Sequence, residues 1–158
     1  MNKVQPGRFS AQIDGEFVVF IIGMRVNKLW KIHKWIPVAM AMGPMIKELS
    51  QHPEKGLLGL RQYFGRTTMM VQYWRSFENL EAFAKDQNDP HLKAWRRFNA
   101  KVGSSGDVGV YHETYRIAAG AYECVYANTP VMGLAKAGNH VAVARRGDSA
   151  RERITAYS

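Results

Sequence analysis

Cysteine is nearly absent. Cys124 is the single thiol among 158 residues, so no intramolecular disulfide can form and a reducing compartment fits. No CxxC and no HExxH occurs, which removes the usual zinc patterns. Long apolar runs are missing too: the longest, Phe17 to Ile22, is far too short to span a bilayer. The N-terminal MNKVQPGRFSAQIDGEF lacks the apolar core of a secretory signal. No phosphate loop, dinucleotide fingerprint, nucleophile elbow or carboxylate dyad is present. Acid is scarce, with 13 Asp and Glu against 22 Lys and Arg and a net charge of +9. Yet no basic run exceeds a pair (Arg96-Arg97, Arg145-Arg146), and no helix-turn-helix or RNA-binding signature accompanies the charge. Together these absences predict a cytoplasmic protein with no membrane and no nucleic-acid partner.

What is there is a chain of one-domain length, 46% hydrophobic and 22% charged, and rich in Phe (7), Tyr (7), Trp (4) and Met (8). Such side chains fill cores and also line apolar ligand pockets. Residues 1–15 read as an irregular arm. Glu16 to Val26 is β-branched and aromatic, a buried strand. Asn27 is placed to cap a helix over Lys28 to Met42, which Pro37 should kink and Gly43-Pro44 should break before Met45 to Gln51 resumes it. Leu57 to Phe64 and Thr67 to Arg75 read as a hairpin around Gly65-Arg66. Ser76 caps a helix from Phe77 to Lys85. Asp89-Pro90 opens another, to Lys101, with the apolar stripe Leu92, Trp95, Phe98 and Val102. Asp107 to Ile117 is a further strand, and Tyr122 to Tyr126 a candidate fifth.

The order strand, helix, strand, strand, helix, strand predicts an α+β fold of the ferredoxin-like, split βαβ kind: an antiparallel sheet with helices on one face. The domain should span 16–134, with a C-terminal tail over 135–158 that either embraces a partner or is flexible. The sheet's other face would lie open, and a second copy of the sheet is the simplest cover.

Several side chains on this frame have two readings. His112 shares a strand face with Val110 and Thr114; it is either a proton-transfer or metal-ligating imidazole, or a hydrogen-bonded core histidine. Trp74 shares a face with Met70 and Gln72, where an indole either meets a ligand or packs the core. Tyr73 and Arg75 take the opposite face. Arg75 can bind an anionic ligand or pair with Glu113 or Glu78, and Glu113 is expected to meet a basic group on a neighbouring element. Arg25, with Asn27 on the same face, is a charge in an apolar strand and needs a partner or an anionic ligand. His91 and Trp95 are one helical turn apart; His91 is a candidate iron ligand, base or surface histidine. His33, beside Trp30 and Pro37, is a candidate pocket residue, and Met40, Met42, Met45, Met69 and Met70 are a candidate apolar wall.

Taken together, GMRVN (Gly23 to Asn27), WIPV (Trp35 to Val38), GLLG (Gly56 to Gly59), QYWRS (Gln72 to Ser76), HLKAWRRFN (His91 to Asn99), HETY (His112 to Tyr115) and YECVYAN (Tyr122 to Asn128) carry a resemblance. Over 16–134 the chain resembles the monooxygenase-like families of the dimeric α+β-barrel superfamily, of the antibiotic-biosynthesis monooxygenase type. The resemblance implies a homodimer whose sheets face each other, with a small-molecule pocket in each subunit between sheet and helices. It implies either cofactor-free oxygenation of an apolar, aromatic substrate or the binding and degradation of haem. In the haem-degrading branch the ligands' neighbourhood involves an Asn, a Trp and a helix His. Trp74 matches the strand-end Trp, and the ligand position falls near Trp95, one turn from His91.

The leading expectation is therefore a monooxygenase without cofactor, with His112 as base, Arg25 or Arg75 stabilising the anion, and Trp74 and Tyr73 orienting the ring. Asn27, His33, Trp95 and Met70 complete the expected substrate contacts. The alternatives are a haem protein with a histidine ligand, His91 first, and a non-catalytic ligand-binding dimer.

Overall fold

The computed structural model describes residues 3–86, 96, 100 and 103–155. Its main sheet is built from β2 (Phe17–Val26), β3 (Leu57–Tyr63), β4 (Thr67–Trp74) and β5 (Val108–Ile117). The strand order is β3-β4-β2-β5, and every neighbouring pair is antiparallel. Helix α1 (Ile32–Gln51) links β2 to β3, and α2 (Phe77–Lys85) follows β4. This is the ferredoxin-like α+β arrangement that the order of elements predicts. The hairpin lies where Gly65-Arg66 places it, and Ser76 caps α2 by accepting from the Asn79 N–H at 3.2 Å. The helix predicted over Pro90 to Lys101 falls outside the described residues, apart from Arg96 and Ala100, which are helical.

The first helix departs from expectation at both ends of its pattern. Asn27 does not cap it; its amide donates to the Gly106 carbonyl at 3.1 Å. Lys28 and Lys31 are drawn instead to the buried Asp107 carboxylate, at 2.7 and 2.8 Å, so the chain turns once more before the helix starts at Ile32. From there it runs 20 residues through Pro37 and Pro44 without a break. Packing explains the continuity. Met45 and Leu49, beyond the second proline, are locked into the main core with Val18, Met70, Trp74, Leu80 and Phe83. Gly43, lacking a Cβ, relieves the clash that Pro44 would make with a larger predecessor.

Residues 4–12 are not an irregular arm. They form β1 (Val4–Gln12), the centre of a second, three-stranded antiparallel sheet in the order β6-β1-β7, with β6 (Tyr126–Pro130) and β7 (Asn139–Ala142). The polar sequence, Pro6 and a register shift between Gln5 and Arg8 hide the strand; Gly7, at φ 108°, takes the backbone through that irregularity. Residues 122–125 precede the strand expected there. The segment after 133 adds α3 (Leu134–Ala137), β7 and α4 (Ala150–Thr155).

This second sheet covers one end of the main sheet's far face. Phe17, with Val19, Leu58, Tyr73 and Ile117 against it, packs on Ala11, Ile13, Tyr122, Leu134 and Ala135. Two buried arginines fix the arrangement. Arg146 donates to the carbonyls of Ala11 and Arg153 at 2.6 and 2.7 Å and lies 4.4 Å over the Tyr122 ring. Arg153 donates to Glu123 at 2.6–2.7 Å and to the carbonyls of Gly147 and Asp148. The chain's own termini thus do part of the covering expected of a second copy.

Candidate active site

Strand alternation decides what faces the helices. In β2 these are Phe20, Ile22 and Met24; in β4, Thr68, Met70 and Gln72; in β5, Val110, His112 and Thr114. Over them lie Val38, Ala39, Met42 and Met45 of α1 and Leu80 and Phe83 of α2. The strands and helices enclose a cavity of about 560 Å³, within the range of small-molecule sites. Its walls are mainly aliphatic, aromatic and thioether.

The polar groups are few. His112, exposed at the β5 edge, tilts at 41° against Phe20 with ring centroids 5.8 Å apart. Thr114 lies next along the same face, Gln62 lines the β3 side and Glu81 the α2 side. Thr68 is engaged with the Met24 backbone, accepting from its N–H at 3.2 Å. At the floor, Trp74 is fully buried and donates its indole N–H to Gln72 Oε1 at 2.8 Å. Gln72, 1% exposed, directs Nε2 to the Met70 sulfur at 3.1 Å.

Among the candidates read from sequence, His112, Met42, Met45, Met69 and Met70 line the cavity, and Met40 is exposed. Trp74 is on the cavity side of the sheet but packs beneath the lining, 5.3 Å from the Phe83 ring. Tyr73 and Arg25 project from the far face by strand alternation, and Arg75 follows the end of β4, exposed, with its backbone N–H donating to the Gly56 carbonyl at 2.9 Å. Burial against the second sheet raises the Tyr73 phenol above its ordinary range. Arg25 is exposed and donates to Thr67 Oγ1 at 3.0 Å. Glu113 accepts from the Tyr115 hydroxyl at 2.7 Å on its own strand, rather than meeting a base on another element. Asn27 is held at Gly106, and His33 is exposed and away from the lining. His91 and Trp95 lie outside the described residues. Gln72, Phe20 and Thr114 were not singled out, although the period-2 pattern that groups Trp74 with Met70 includes Gln72 and points to it.

With the site in place, likeness to known proteins becomes informative. The family model described as Monooxygenase af470-like matches residues 17–134. The chain belongs to that family. Monooxygenase af470 of Aspergillus fumigatus is 26% identical over 81% of this chain and 53% of its own length. The chain therefore spans about half of that curated relative. The solved structure of an aldoxime dehydratase superposes with a TM-score of 0.61 at 17% identity, over 87% of this chain and 44% of that one. That likeness establishes the shared fold. SnoaB, a cofactor-independent oxygenase from Streptomyces nogalater, is more distant, with a TM-score of 0.43 at 13% identity over 63% of this chain and 91% of that one.

No helix among the described residues is long and apolar enough to cross a membrane. Among the same residues, no group of three His, Cys, Asp or Glu side chains is placed to hold a metal ion.

Proposed function

We propose that the protein is a monooxygenase that oxidises an apolar small molecule in the cavity between sheet and helices, with His112 as general base. The observation that carries this reading is an imidazole at the edge of an apolar cavity, in a member of a monooxygenase family. A neutral imidazole suits removal of a proton from an acidic C–H or O–H. The resulting carbanion or phenolate is electron-rich enough to reduce oxygen without a cofactor. For a methylene substrate, one oxygen atom becomes the carbonyl and the other leaves as water with the two hydrogens of that carbon. Phe20, against His112, supplies a ring face for an aromatic ligand.

Haem fits the described lining less well. Its propionates call for cationic partners, and no Lys or Arg is among the described lining residues, whereas Glu81 is. The wall composition suits an uncharged ligand better than a dianionic macrocycle.

Two further parts of the reading have their own support. Ile21, Val71 and Tyr111 on the far face lie only half-buried beyond the second sheet, which favours a homodimer that pairs there. The Cys124 thiol, accepting from the Ala11 N–H at 3.3 Å, fits a cytoplasmic setting.

Oxygen consumption over a panel of aromatic ketones and phenols tests the function. His112→Ala should lower turnover of any active compound by about 100-fold or more while leaving the circular dichroism and melting temperature in place. Undiminished turnover in that variant would remove His112 from the role.

A further inference from the structure

The amide of Gln72 has a forced orientation. Indole nitrogen can only donate, so the Gln72 atom 2.8 Å from Trp74 Nε1 is the carbonyl oxygen. The amide NH₂ therefore points the other way, toward Met70, which lines the cavity beside it. Its partner there is the Met70 thioether at 3.1 Å, a weak acceptor for one of two N–H groups. Anchored on one side by a buried Trp and shielded at 1% exposure by the flexible Met70 chain, the amide keeps donor capacity for an acceptor that moves that thioether aside.

We propose that Gln72 is the ligand-orienting donor of this site and that the ligand carries a hydrogen-bond-accepting oxygen, a carbonyl or a phenolate, at that end. The assignment deepens the monooxygenase reading and rests on ligand entry into the same cavity. The strand register separates the two polar ends. Phe20 pairs with Gln72 on one side, and Ile22 pairs with His112 on the other, so Gln72 and His112 lie two strands and two residues apart. Strand spacing and rise put their Cα atoms on the order of 12 Å from each other. Gln72 thus holds the ligand at a distance from the base, and an anion formed at His112 that delocalises to the far oxygen is met there by an N–H. Trp74 acts through Gln72 as a positioning residue.

Fluorenone and fluorene provide the probe pair: they have the same ring frame, with a carbonyl in one and a methylene in the other. Binding of each is read by fluorescence titration of the wild-type protein and of Gln72→Leu and Gln72→Met. The expected result is about fivefold tighter binding of fluorenone by the wild type, with the preference lost in both variants and fluorene affinity unchanged. If both compounds bind the wild type equally, or if the variants keep the preference, the Gln72 assignment is wrong while the apolar cavity stands. If neither compound binds the wild type, the cavity reading falls and takes the assignment with it. Should one variant fail to fold, the other carries the comparison.

Discussion

Replacing Trp74 by Phe separates packing from hydrogen bonding at the cavity floor. The indole is fully buried and its N–H is the partner of the Gln72 carbonyl oxygen at 2.8 Å. Phe keeps a ring against Phe83 but removes the donor. Orphaning a buried carbonyl costs about 1–3 kcal/mol. The volume lost, roughly 40 Å³, adds about 1 kcal/mol at ~24 cal/mol per Å³ of unfilled space. The sum is about 2–4 kcal/mol, which in a domain of this size lowers the melting temperature by roughly 5–15 °C. Gln72→Leu, in turn, strands the indole N–H and should cost about 1–3 kcal/mol. The double variant leaves neither group unpaired, so it should be less destabilised than the sum of the two singles by about 1–3 kcal/mol. Urea unfolding of all four proteins, with a common m-value, measures that coupling. Additivity within about 0.5 kcal/mol would show that the two side chains are not bonded in the folded protein and would undo the amide orientation inferred for Gln72.

Three other outcomes follow from the packing. Gly23→Ala should destabilise by about 3 kcal/mol, because a Cβ there would meet the Thr68 carbonyl and the Tyr111 ring inside contact distance; wild-type stability in chemical denaturation would contradict the close strand approach. Lys28 and Lys31 hold the Asp107 carboxyl well below its ordinary 3.8, so this contribution is complete above that pH and is lost as pH falls through the lower folded value. Asp107→Asn should therefore flatten the acid limb of a stability–pH profile between neutral pH and about pH 2, and an unaltered acid limb would argue against the pairing. Glu123→Gln leaves the buried Arg153 without its carboxylate but with two carbonyl acceptors, at a cost of about 3 kcal/mol; amide exchange should rise across residues 146–155, and unchanged protection there would refute the fastening role.

How much of this was legible in the sequence depended on whether local pattern or distant partners decided each element. The hairpin, the capped α2 and the main strands carry their own turn residues, cap and alternation, and the sheet order follows from them. Local propensity would break α1 at Pro37 and Pro44, and the core contacts of Met45 and Leu49 hold it together. β1 was missed because half of it is polar; its strand state comes from pairing with β6 and β7, more than a hundred residues away. At the site, His112 and Met70 were reachable by alternation alone. Arg25 is a charge whose parity along β2 assigns it to the far face, and Arg75 lies just past the end of β4. Gln72 was passed over because an amide looks inert until its neighbour is known to be a donor that fixes which way it points.

The pairing of β1 has a consequence for how the chain is made. Val4 meets Pro130 and Gln12 meets Asn139, so β1 is synthesised more than a hundred residues before the strands that pair with it. The four-stranded core, closed by β5, can assemble while β1 still waits. Until residue 130 has emerged both edges of β1 are unsatisfied, and the edge that meets β7 stays open until residue 142. The interval between synthesis of β5 and of β7 is therefore aggregation-prone, and slowing translation of the segment between them should lengthen it.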